Sequence, residues 1–393
     1  MSPTQRTRRE IASSAADALA GLSPGRLGSL RAVVGFDGFV DSIIHVVDKR
    51  HSMERDDFDR ILTIPQFAAR CGAAAGRSAN LEMVVQDERF GGNGPLFSSA
   101  LGALGAKVTY IGAVGLPDDH ATLDPVFRPF VDRCERVIPI CAPGRTDALE
   151  FEDGKLMFGK PEAVRAATWE RAKEAVGAEE LRKLYEGASL VSVVNWTMCA
   201  GVEGIWEGLR DEVLPGLPPN PERWLFIDLS DPAKRTDEDV RRAMELLGTL
   251  QPLIPVTLGL NLAESARVAS VMGIRTPDDS GNESLEEVIP ATARRLREAL
   301  GLACVVIHRH TGAGAADAEG EVWFTGPYTR KPRISTGAGD HFGGGFSFAR
   351  CAGLGLAESL AAACAVAGAY VRDAKSPSLE RVVGFLRDLP GPE

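Results

Sequence analysis

The chain has 393 residues, of which 44% are hydrophobic and 25% charged, and its formal net charge is -10. This composition is ordinary for a soluble enzyme, and the negative charge argues against nucleic acid as a partner. Seven scattered cysteines without a Cys-x-x-Cys pair predict neither a disulfide framework nor a zinc ribbon, which favours a reducing, cytoplasmic compartment. No apolar stretch approaches the roughly 20 residues that span a bilayer, so we expect no membrane partner.

Apolar runs typical of buried strands alternate with helical patterns along the chain. The predicted strands cover residues 31–35, 107–111, 190–194, 224–228, 253–260 and 304–307. The predicted helices between them cover residues 94–105, 169–186, 236–249, 262–273 and 284–300. This alternation predicts an α/β fold with a mostly parallel sheet and helices on both faces, whose ligands bind beyond the carboxyl ends of the strands.

A second kind of strand alternates polar and apolar residues, which is the pattern of a half-buried sheet. It occurs at residues 41–48, 80–88 and 146–160, and Asp153-Gly154 forms a tight turn within the third segment. These strands do not fit between the α/β units. We therefore predict a small β-sheet lid, at approximately 41–50, 79–90 and 146–160, inserted in a single domain that spans 1–393. Residues 50–77 indicate a further insertion with a helix inside it.

The segment 333–346 combines small residues with one carboxylate, just before an apolar helix predicted at about 341–353. If Gly337, Ala338 and Gly339 open that helix, their N–H groups and the positive end of the helix dipole form a site for an anion. Asp340 would then take a proton from a hydroxyl that attacks phosphorus. In isolation the four residues are more typical of an ordinary capped turn.

The glycines at 343–345 strengthen the functional interpretation of this segment. Each costs a helix roughly 1 kcal/mol relative to alanine. Three in succession therefore indicate that something approaches the helix backbone closely.

The stretch from Ser335 to Phe342 resembles the second signature of the ribokinase-like (PfkB) family of carbohydrate kinases. Two further stretches fit in the family's order. Residues 91–105, followed by 107–115, resemble the first signature, and Asn261 to Glu264 resembles the Asn-x-x-Glu element that organises magnesium and phosphate. Together the three matches cover most of the chain from about residue 31 to residue 385.

The resemblance implies a ribokinase-like fold and an ATP- and Mg²⁺-dependent kinase for a hydroxymethyl group of a small sugar or polyol. Asp340 corresponds to the catalytic base, and the turn from Gly337 to Gly339 corresponds to the anion hole. The lid would close over the sugar, and in this family it often supplies the contact of a homodimer.

Residues for the nucleotide, the phosphates and the metal follow from the same comparison. Asn261 and Glu264 would organise Mg²⁺ through water near Glu264, with no direct metal ligand predicted. Taken alone, the two residues are more typical of a capping box. The stretch from Val305 to Gly314 replaces a more usual Thr-rich, Gly-containing nucleotide loop, and Gly312 and Gly314 would still admit the nucleotide closely.

For the acceptor, Asp37 and Asp41 follow the first predicted strand. Carboxylates accept hydrogen bonds from neighbouring hydroxyls, which suits a neutral polyol. The spacing leaves open which of the two holds the substrate. Gly92 and Asn93 of the first signature would bring a backbone group and an amide to the sugar. Asn195 and Asp228 each lie at the end of a predicted strand, so we expect them at the same edge of the sheet. They are weaker candidates for the acceptor site.

The chain also departs from the family pattern. Leu96 stands where an Asn is usual, and Ile334 stands where an Asp associated with a monovalent cation is usual, which puts potassium activation in doubt. His308 and His310 share one strand face, but two histidines without a third ligand do not predict a metal site.

Three other functions compete with a sugar kinase. A nucleoside kinase would need aromatic side chains for the base, and the lid offers few beyond Phe39 and Phe151. A phosphofructokinase-like enzyme would need a basic cluster, for which Lys49, Arg50 and Arg145 are candidates. A catalytically silent sugar- or nucleotide-binding regulator would explain Leu96 and Ile334, but it would have no need for an intact Gly-Ala-Gly-Asp.

Overall fold

The chain is described by a computed structural model that covers residues 6–277 and 284–391. Its strands are β1 Arg31–Phe36, β2 Phe39–Arg50, β3 Phe58–Arg60, β4 Met83–Gly91, β5 Lys107–Gly112, β6 Arg136–Pro139, β7 Gly144–Phe151, β8 Gly154–Lys160, β9 Leu190–Val194, β10 Trp224–Asp228, β11 Val256–Asn261, β12 Cys304–Arg309, β13 Gly312–Asp317 and β14 Gly320–Thr325. Its helices are α1 Arg8–Ala20, α2 Pro24–Ser29, α3 Ile64–Gly72, α4 Asn93–Ala103, α5 Arg128–Val131, α6 Trp169–Val176, α7 Ala178–Gly187, α8 Val202–Gly208, α9 Asp237–Leu250, α10 Leu262–Met272, α11 Leu285–Leu300, α12 Ala338–Cys351, α13 Leu356–Asp373 and α14 Leu379–Arg387.

The larger sheet has nine strands in the order β14-β13-β12-β11-β10-β9-β1-β5-β6. The strands from β6 to β12 in that order pair in parallel, and β13 and β14 add an antiparallel edge. Alternate residues of its strands enter two apolar cores, one on each face: Val33 of β1 belongs to one and Val34 to the other. The predicted α/β fold with a mostly parallel sheet is confirmed.

Local chemistry explains where predicted and observed elements differ. Strand β11 begins at Val256 rather than at residue 253, because the N–H groups of Leu253 and Ile254 both donate to Leu250 O and extend the end of α9. The helix predicted at 169–186 is two helices, α6 and α7, because Gly177 between them has φ of 88°. Among the described residues, no helix is both long enough and apolar enough to cross a membrane.

The second sheet has five strands and is built around β2, which pairs with β3, β4 and β7, while β7 continues into β8. One face carries a small apolar cluster that includes Ile44, Leu149 and Phe151. Helix α3 of the 50–77 segment packs on this face, with the rings of Phe67 and Phe151 5.5 Å apart. The opposite face carries Asp41 and Thr146. We call this sheet the lid.

Three successive glycines let α12 pack tightly in the main body. A Cβ at Gly344 would lie 2.9 Å from the Cβ of Ala100 in α4, and one at Gly345 would lie 2.9 Å from Val366 in α13. At Gly343 it would lie 3.0 Å from the ring of Phe226. Something does approach this backbone closely, but it is neighbouring protein rather than a ligand.

Candidate active site

Helix α12 begins at the turn singled out in the sequence. Gly337 is its N-cap residue, with φ of 84°, and Ala338 is its first residue. The N–H of Ala338 donates to Ser335 O at 3.2 Å. Gly339 and Asp340 stand in the first turn, where no earlier helical carbonyl is available to accept from their N–H groups. The turn therefore presents backbone donors and the positive end of a helix at the start of α12.

Asp340 lies beside this turn, and its Oδ1 accepts a hydrogen bond from Asn93 Nδ2 at 2.8 Å. Burial, and next the negative charge of Asp37, raise the pKa of Asp340 to about 8. The bond from Asn93 opposes this rise without cancelling it. A carboxyl group with a pKa near neutrality is suited to accept and return a proton at ordinary pH.

The two candidate acceptor-binding aspartates have different surroundings. Asp37 is fully buried, and its carboxylate accepts from Asn93 N at 2.8 Å, Gly94 N at 2.7 Å and Asn195 Nδ2 at 2.7 Å. Burial raises its pKa to about 6, although these three bonds oppose the rise. Through these hydrogen bonds, Asp37 connects the N terminus of α4 to the carboxyl ends of β1 and β9.

Asp41, in contrast, lies on the lid and is only partly buried. Burial raises its pKa, while a hydrogen bond from Thr146 on the neighbouring strand lowers it. A Cβ at Gly159, on the same lid face, would lie 3.8 Å from Met198 of the main body. The lid face that carries Asp41 is therefore directed toward the carboxyl ends of the strands in the main sheet.

Gly92 and Asn93 connect Asp37 with Asp340. Gly92 has φ of 101°, and a Cβ there would lie 3.0 Å from Asp37 Oδ2, so only glycine fits. Besides its bond to Asp340, the Asn93 side chain accepts from Ser230 Oγ at 3.3 Å. The first signature thus positions Asp340 through Asn93 and leaves the backbone at Gly92 close to Asp37.

The strand ends contain a feature that the sequence analysis missed. Asn195, Ser230 and Asp231 all have left-handed backbone, with φ of 62°, 57° and 64°. Such conformations in residues other than glycine are strained and cluster at functional sites. Ser230 N donates to Asp228 Oδ1 and Asp231 N to Glu264 Oε1, both at 2.9 Å. The only sequence signal was Ser-Asp-Pro directly after a strand, which is typical of any turn.

Asp228, Glu264 and Asp340 form an acidic cluster at the carboxyl ends of β10 and β11. Burial, and then the charges of Glu264 and Asp340, raise the pKa of Asp228 well above its usual range. Burial also raises the pKa of Glu264. Glu264 forms the capping box of α10 with Asn261, as the structural interpretation of this pair expects, and the role of the pair toward magnesium and phosphate stays a prediction.

This cluster suits a cation that keeps its water shell. The charges that act most strongly on Asp228 are all negative, so a bound cation would relieve their mutual repulsion. Within residues 6–277 and 284–391, no group of three or more His, Cys, Asp or Glu side chains is arranged to hold a metal directly. Hydrated Mg²⁺ fits both observations, because it is commonly held through one or two carboxylates and several waters.

A cavity of about 530 Å³ opens beside the turn. Ser335, Ala338 and Gly339 line one end of it, so the cavity and the helix start are continuous. Gly312 also lines it. Gly314 does not, since a Cβ there would meet Ile289 and Pro290 of α11 at 2.9 Å. This corrects the prediction for Gly314, whose small size serves helix packing.

The two histidines of this region have different neighbours. His308 is close to the turn, since a Cβ at Gly339 would lie 3.3 Å from its Cε1, and its ring lies 5.0 Å from that of Phe342. His310 instead packs on Tyr328, with ring centroids 5.1 Å apart. Both histidines line the cavity.

Comparison with known proteins supports the resemblance seen in the sequence. The model of the prokaryotic ketohexokinase family matches residues 5–389. A ketohexokinase from Haloferax volcanii is 31% identical over 375 residues, which is 94% of either chain.

Solved structures with low sequence identity share the fold. Ribokinase from Arabidopsis thaliana, complexed with ribose and ATP, has a TM-score of 0.60 at 14% identity and covers 92% of this chain and 99% of its own. A carbohydrate kinase from Agrobacterium tumefaciens has a TM-score of 0.60 at 17% identity, with 92% and 98% covered. The fold is therefore ribokinase-like, and the chain belongs to the prokaryotic ketohexokinase family.

Proposed function

We propose that this sugar kinase transfers the γ-phosphoryl group of ATP to a hydroxymethyl group of a ketohexose. The observation that carries the proposal is the position of Asp340, a carboxyl group in the first turn of α12 beside the backbone donors of the helix start. Burial raises the pKa of this group to about 8. The family and its Haloferax relative point to ketohexoses among the sugars.

The chemistry assigned to this geometry has two parts. Asp340 accepts the proton of the attacking hydroxyl as the bond to phosphorus forms. The N–H groups of Gly337, Ala338 and Gly339 stabilise the negative charge that develops on the transferred phosphoryl group. The N–H of Ala338 would exchange its turn bond to Ser335 O for the phosphoryl oxygen.

We assign the sugar to the space between the lid and the ends of β1 and β9. The partly exposed carboxylate of Asp41 is the better candidate for the sugar hydroxyls, because Asp37 already accepts three internal hydrogen bonds. Gly92 would approach the sugar through its backbone, and Asn93 would orient both the sugar and Asp340.

The nucleotide would occupy the cavity of about 530 Å³, with Gly312 beneath it and its phosphates toward the turn. Mg²⁺, when bound, would neutralise phosphate charge. Asn261 and Glu264 would hold it through water, with Asp228 as a further acidic neighbour. ATP as donor is supported by the kinase family and by the continuity of the cavity with the anion-binding turn.

The surroundings of other residues disfavour the competing functions. Phe39 and Phe151 are buried in apolar cores and are unavailable to a nucleoside base. Arg50 is paired with Glu82 at 2.7 Å, and Arg145 lies 3.6 Å from Glu88, so neither forms a free basic cluster for a sugar phosphate. A silent regulator would not require a carboxyl group with the environment of Asp340.

An ATP-consumption assay with purified protein tests this proposal. The acceptor panel contains ketohexoses, aldoses, polyols, sugar phosphates and nucleosides, and nuclear magnetic resonance identifies the phosphorylated position. We expect the highest kcat/KM for a ketohexose and loss of turnover in Asp340→Asn with nucleotide binding retained. Preference for a nucleoside or sugar phosphate would overturn the substrate assignment, and an active Asp340→Asn would overturn the base.

We also propose a cytoplasmic homodimer that associates through the lid. All seven cysteines are free thiols, which fits a reducing compartment. The lid strands expose the apolar side chains of Met83, Val85, Met157 and Phe158. Light scattering should give twice the chain mass of 41.9 kDa, and Phe158→Asp should lower it to one chain. A wild-type monomer would contradict the dimer.

A further inference from the structure

His341 is a fully buried imidazole that directly follows Asp340 and has no part in the mechanism described above. Its Nδ1 lies 2.8 Å from Gly337 O, and its Nε2 lies 2.9 Å from Ser376 Oγ in the segment after α13. A carbonyl oxygen only accepts hydrogen bonds, so Nδ1 carries the proton. Burial lowers the pKa of His341 to about 4, so the ring is neutral and the hydroxyl of Ser376 donates to Nε2.

Tyr370 holds the preceding peptide in a similar way. Its ring stacks on that of His341, with centroids 3.6 Å apart and planes 15° apart. Its hydroxyl donates to Thr336 O at 2.9 Å. Two stacked rings thus bind two successive carbonyl groups, those of Thr336 and Gly337.

The geometry of the peptide bond connects these carbonyls to the anion site. In a planar trans peptide the C=O and the N–H point in opposite directions. Fixing Thr336 O therefore fixes the N–H of Gly337, and fixing Gly337 O fixes the N–H of Ala338. Gly337 has no side chain to restrict it and adopts φ of 84°. Its carbonyl also accepts the helical hydrogen bond from His341 N at 3.0 Å, and the side-chain bonds of His341 and Tyr370 add further restraint to the two peptides.

We infer that His341, together with Tyr370 and Ser376, is a positioning group that aims the backbone donors of the anion hole at the transferred phosphoryl group. This inference rests on the proposed function, because it assigns a task to the turn beside Asp340. His341 is fully buried, so it is not placed to contact substrate or nucleotide directly. Its contribution lies in the orientation of donors that act on charge formed during the transfer, so it should affect turnover more than substrate binding.

Variants at position 341 separate this role from simple packing. His341→Leu removes both hydrogen bonds and keeps an apolar side chain of similar bulk. We expect kcat per folded enzyme to fall about tenfold or more, with KM for ATP and sugar changed by less than about threefold. His341→Asn keeps a side-chain donor near the position of Nδ1 and should recover most of the loss. An unchanged kcat in His341→Leu, or an equal loss in both variants, overturns the inference.

A second measurement examines the anion hole directly. ADP with Mg²⁺ and aluminium fluoride mimics the phosphoryl group in transfer, whereas ADP with Mg²⁺ alone does not. His341→Leu should weaken inhibition by the fluoride complex about tenfold or more and leave ADP binding unchanged. Equal effects on both ligands would overturn the inference, because they would indicate a general disturbance of the nucleotide site.

Tyr370→Phe and Ser376→Ala keep the inference testable if His341→Leu does not fold. Tyr370→Phe retains the stacked ring and removes only the bond to Thr336 O. Both variants should lower kcat several-fold with little change in KM, and wild-type kcat in both overturns the inference. Asp340→Asn serves as the separate control: turnover in that variant contradicts the proposed base, whereas an inactive Asp340→Asn beside a fully active His341→Leu contradicts only the positioning role.

Discussion

Asp37 and Asp41 lie four residues apart but have different tasks in the folded chain. Asp37 accepts three hydrogen bonds from α4 and Asn195 in a fully buried position, whereas Asp41 is partly exposed on the lid. The sequence could not separate them, because the three donors to Asp37 come from segments as far as 158 residues away. Side-chain roles that depend on distant donors are not encoded in local spacing.

Substitution of each aspartate by asparagine tests this division. Asp37→Asn replaces one acceptor oxygen by a donor facing buried N–H groups, which should lower the free energy of unfolding by about 1–3 kcal/mol. Asp41→Asn should raise the KM for the sugar about tenfold and leave the melting temperature nearly unchanged. Steady-state kinetics and thermal unfolding distinguish the two. A stable Asp37→Asn with a raised sugar KM would reverse the assignment.

The raised pKa of Asp340 also predicts how stability depends on pH. The folded-state pKa of about 8 lies above the ordinary value of 3.8, so the folded protein keeps a proton that the unfolded chain releases. Stability should therefore fall as pH rises through this interval. The low folded-state pKa values of His308 and His341 oppose this slope near pH 6.5, where the unfolded imidazoles are half protonated, and add almost none above about pH 7.5.

We expect the melting temperature of the ligand-free protein to fall between pH 6.5 and pH 8.5, and to fall less in Asp340→Asn. The asparagine keeps an acceptor for Asn93 Nδ2 but does not ionise. Asp228 contributes to the same slope, so the variant should reduce the slope rather than remove it. Parallel curves for the two proteins would contradict the raised pKa of Asp340.

At the scale of elements, the glycines of α12 determine how closely it approaches α4. The two helices carry Asp340 and Asn93 at their N termini, so their separation also sets the hydrogen bond between these side chains. Gly344 is the closest contact, since an added Cβ would lie 2.9 Å from the Cβ of Ala100 and 3.0 Å from Phe97 O.

Gly344→Ala should therefore lower the free energy of unfolding by about 1–3 kcal/mol and reduce kcat. Gly384→Ala in α14 is the matched control, because nothing lies within 4 Å of a Cβ at that position. The control should be stabilised by about 0.5–1 kcal/mol, since alanine is the better helix former. Denaturant unfolding of both variants checks this, and equal effects would contradict the packing role of Gly344.

Elements with strong local signals could be predicted from the sequence, and elements set by tertiary contacts could not. The buried strands β1, β5, β9 and β10 follow from apolar runs bounded by turn residues. The left-handed residues Ser230 and Asp231 do not, because their conformation depends on bonds to Asp228 and Glu264 rather than on residue type. The same holds for Gly314, where sequence cannot tell a helix contact from a ligand contact.

At the scale of the whole molecule, the site combines residues from widely separated parts of the chain. The ends of β1, β9, β10 and β11 provide Asp37, Asn195, Asp228 and Asn261, and α12 adds Asp340. The motif around Asp340 could be predicted because it is contiguous, and its family resemblance indicated where the fold would bring the rest. The packing of α3 on the lid could not be predicted, since it depends on contacts between separate strands and the insertion.

The packing of α3 on the lid predicts that the insertion influences sugar binding indirectly, through the lid. Phe67→Ala removes the aromatic contact between α3 and Phe151 on the lid face opposite Asp41. We expect a higher KM for the sugar, an unchanged KM for ATP and a small fall in melting temperature. Met53→Ala, at a position that is 91% exposed in the same insertion, is the control and should behave as wild type. Equal kinetics in both variants would contradict the coupling.

Only Asp37 and Gly38 separate β1 of the main sheet from β2 of the lid. A Cβ at Gly38 would overlap the carbonyl of Ala113, and the hydroxyl of Tyr110 donates to Asp37 O, so both linking residues are clamped from the main body. Force applied to the lid along β2 would therefore act directly on Asp37, the residue that holds the N terminus of α4. In a pulling experiment, the lid should not unfold independently of the main body. It should unfold in one event with the region around Asp37.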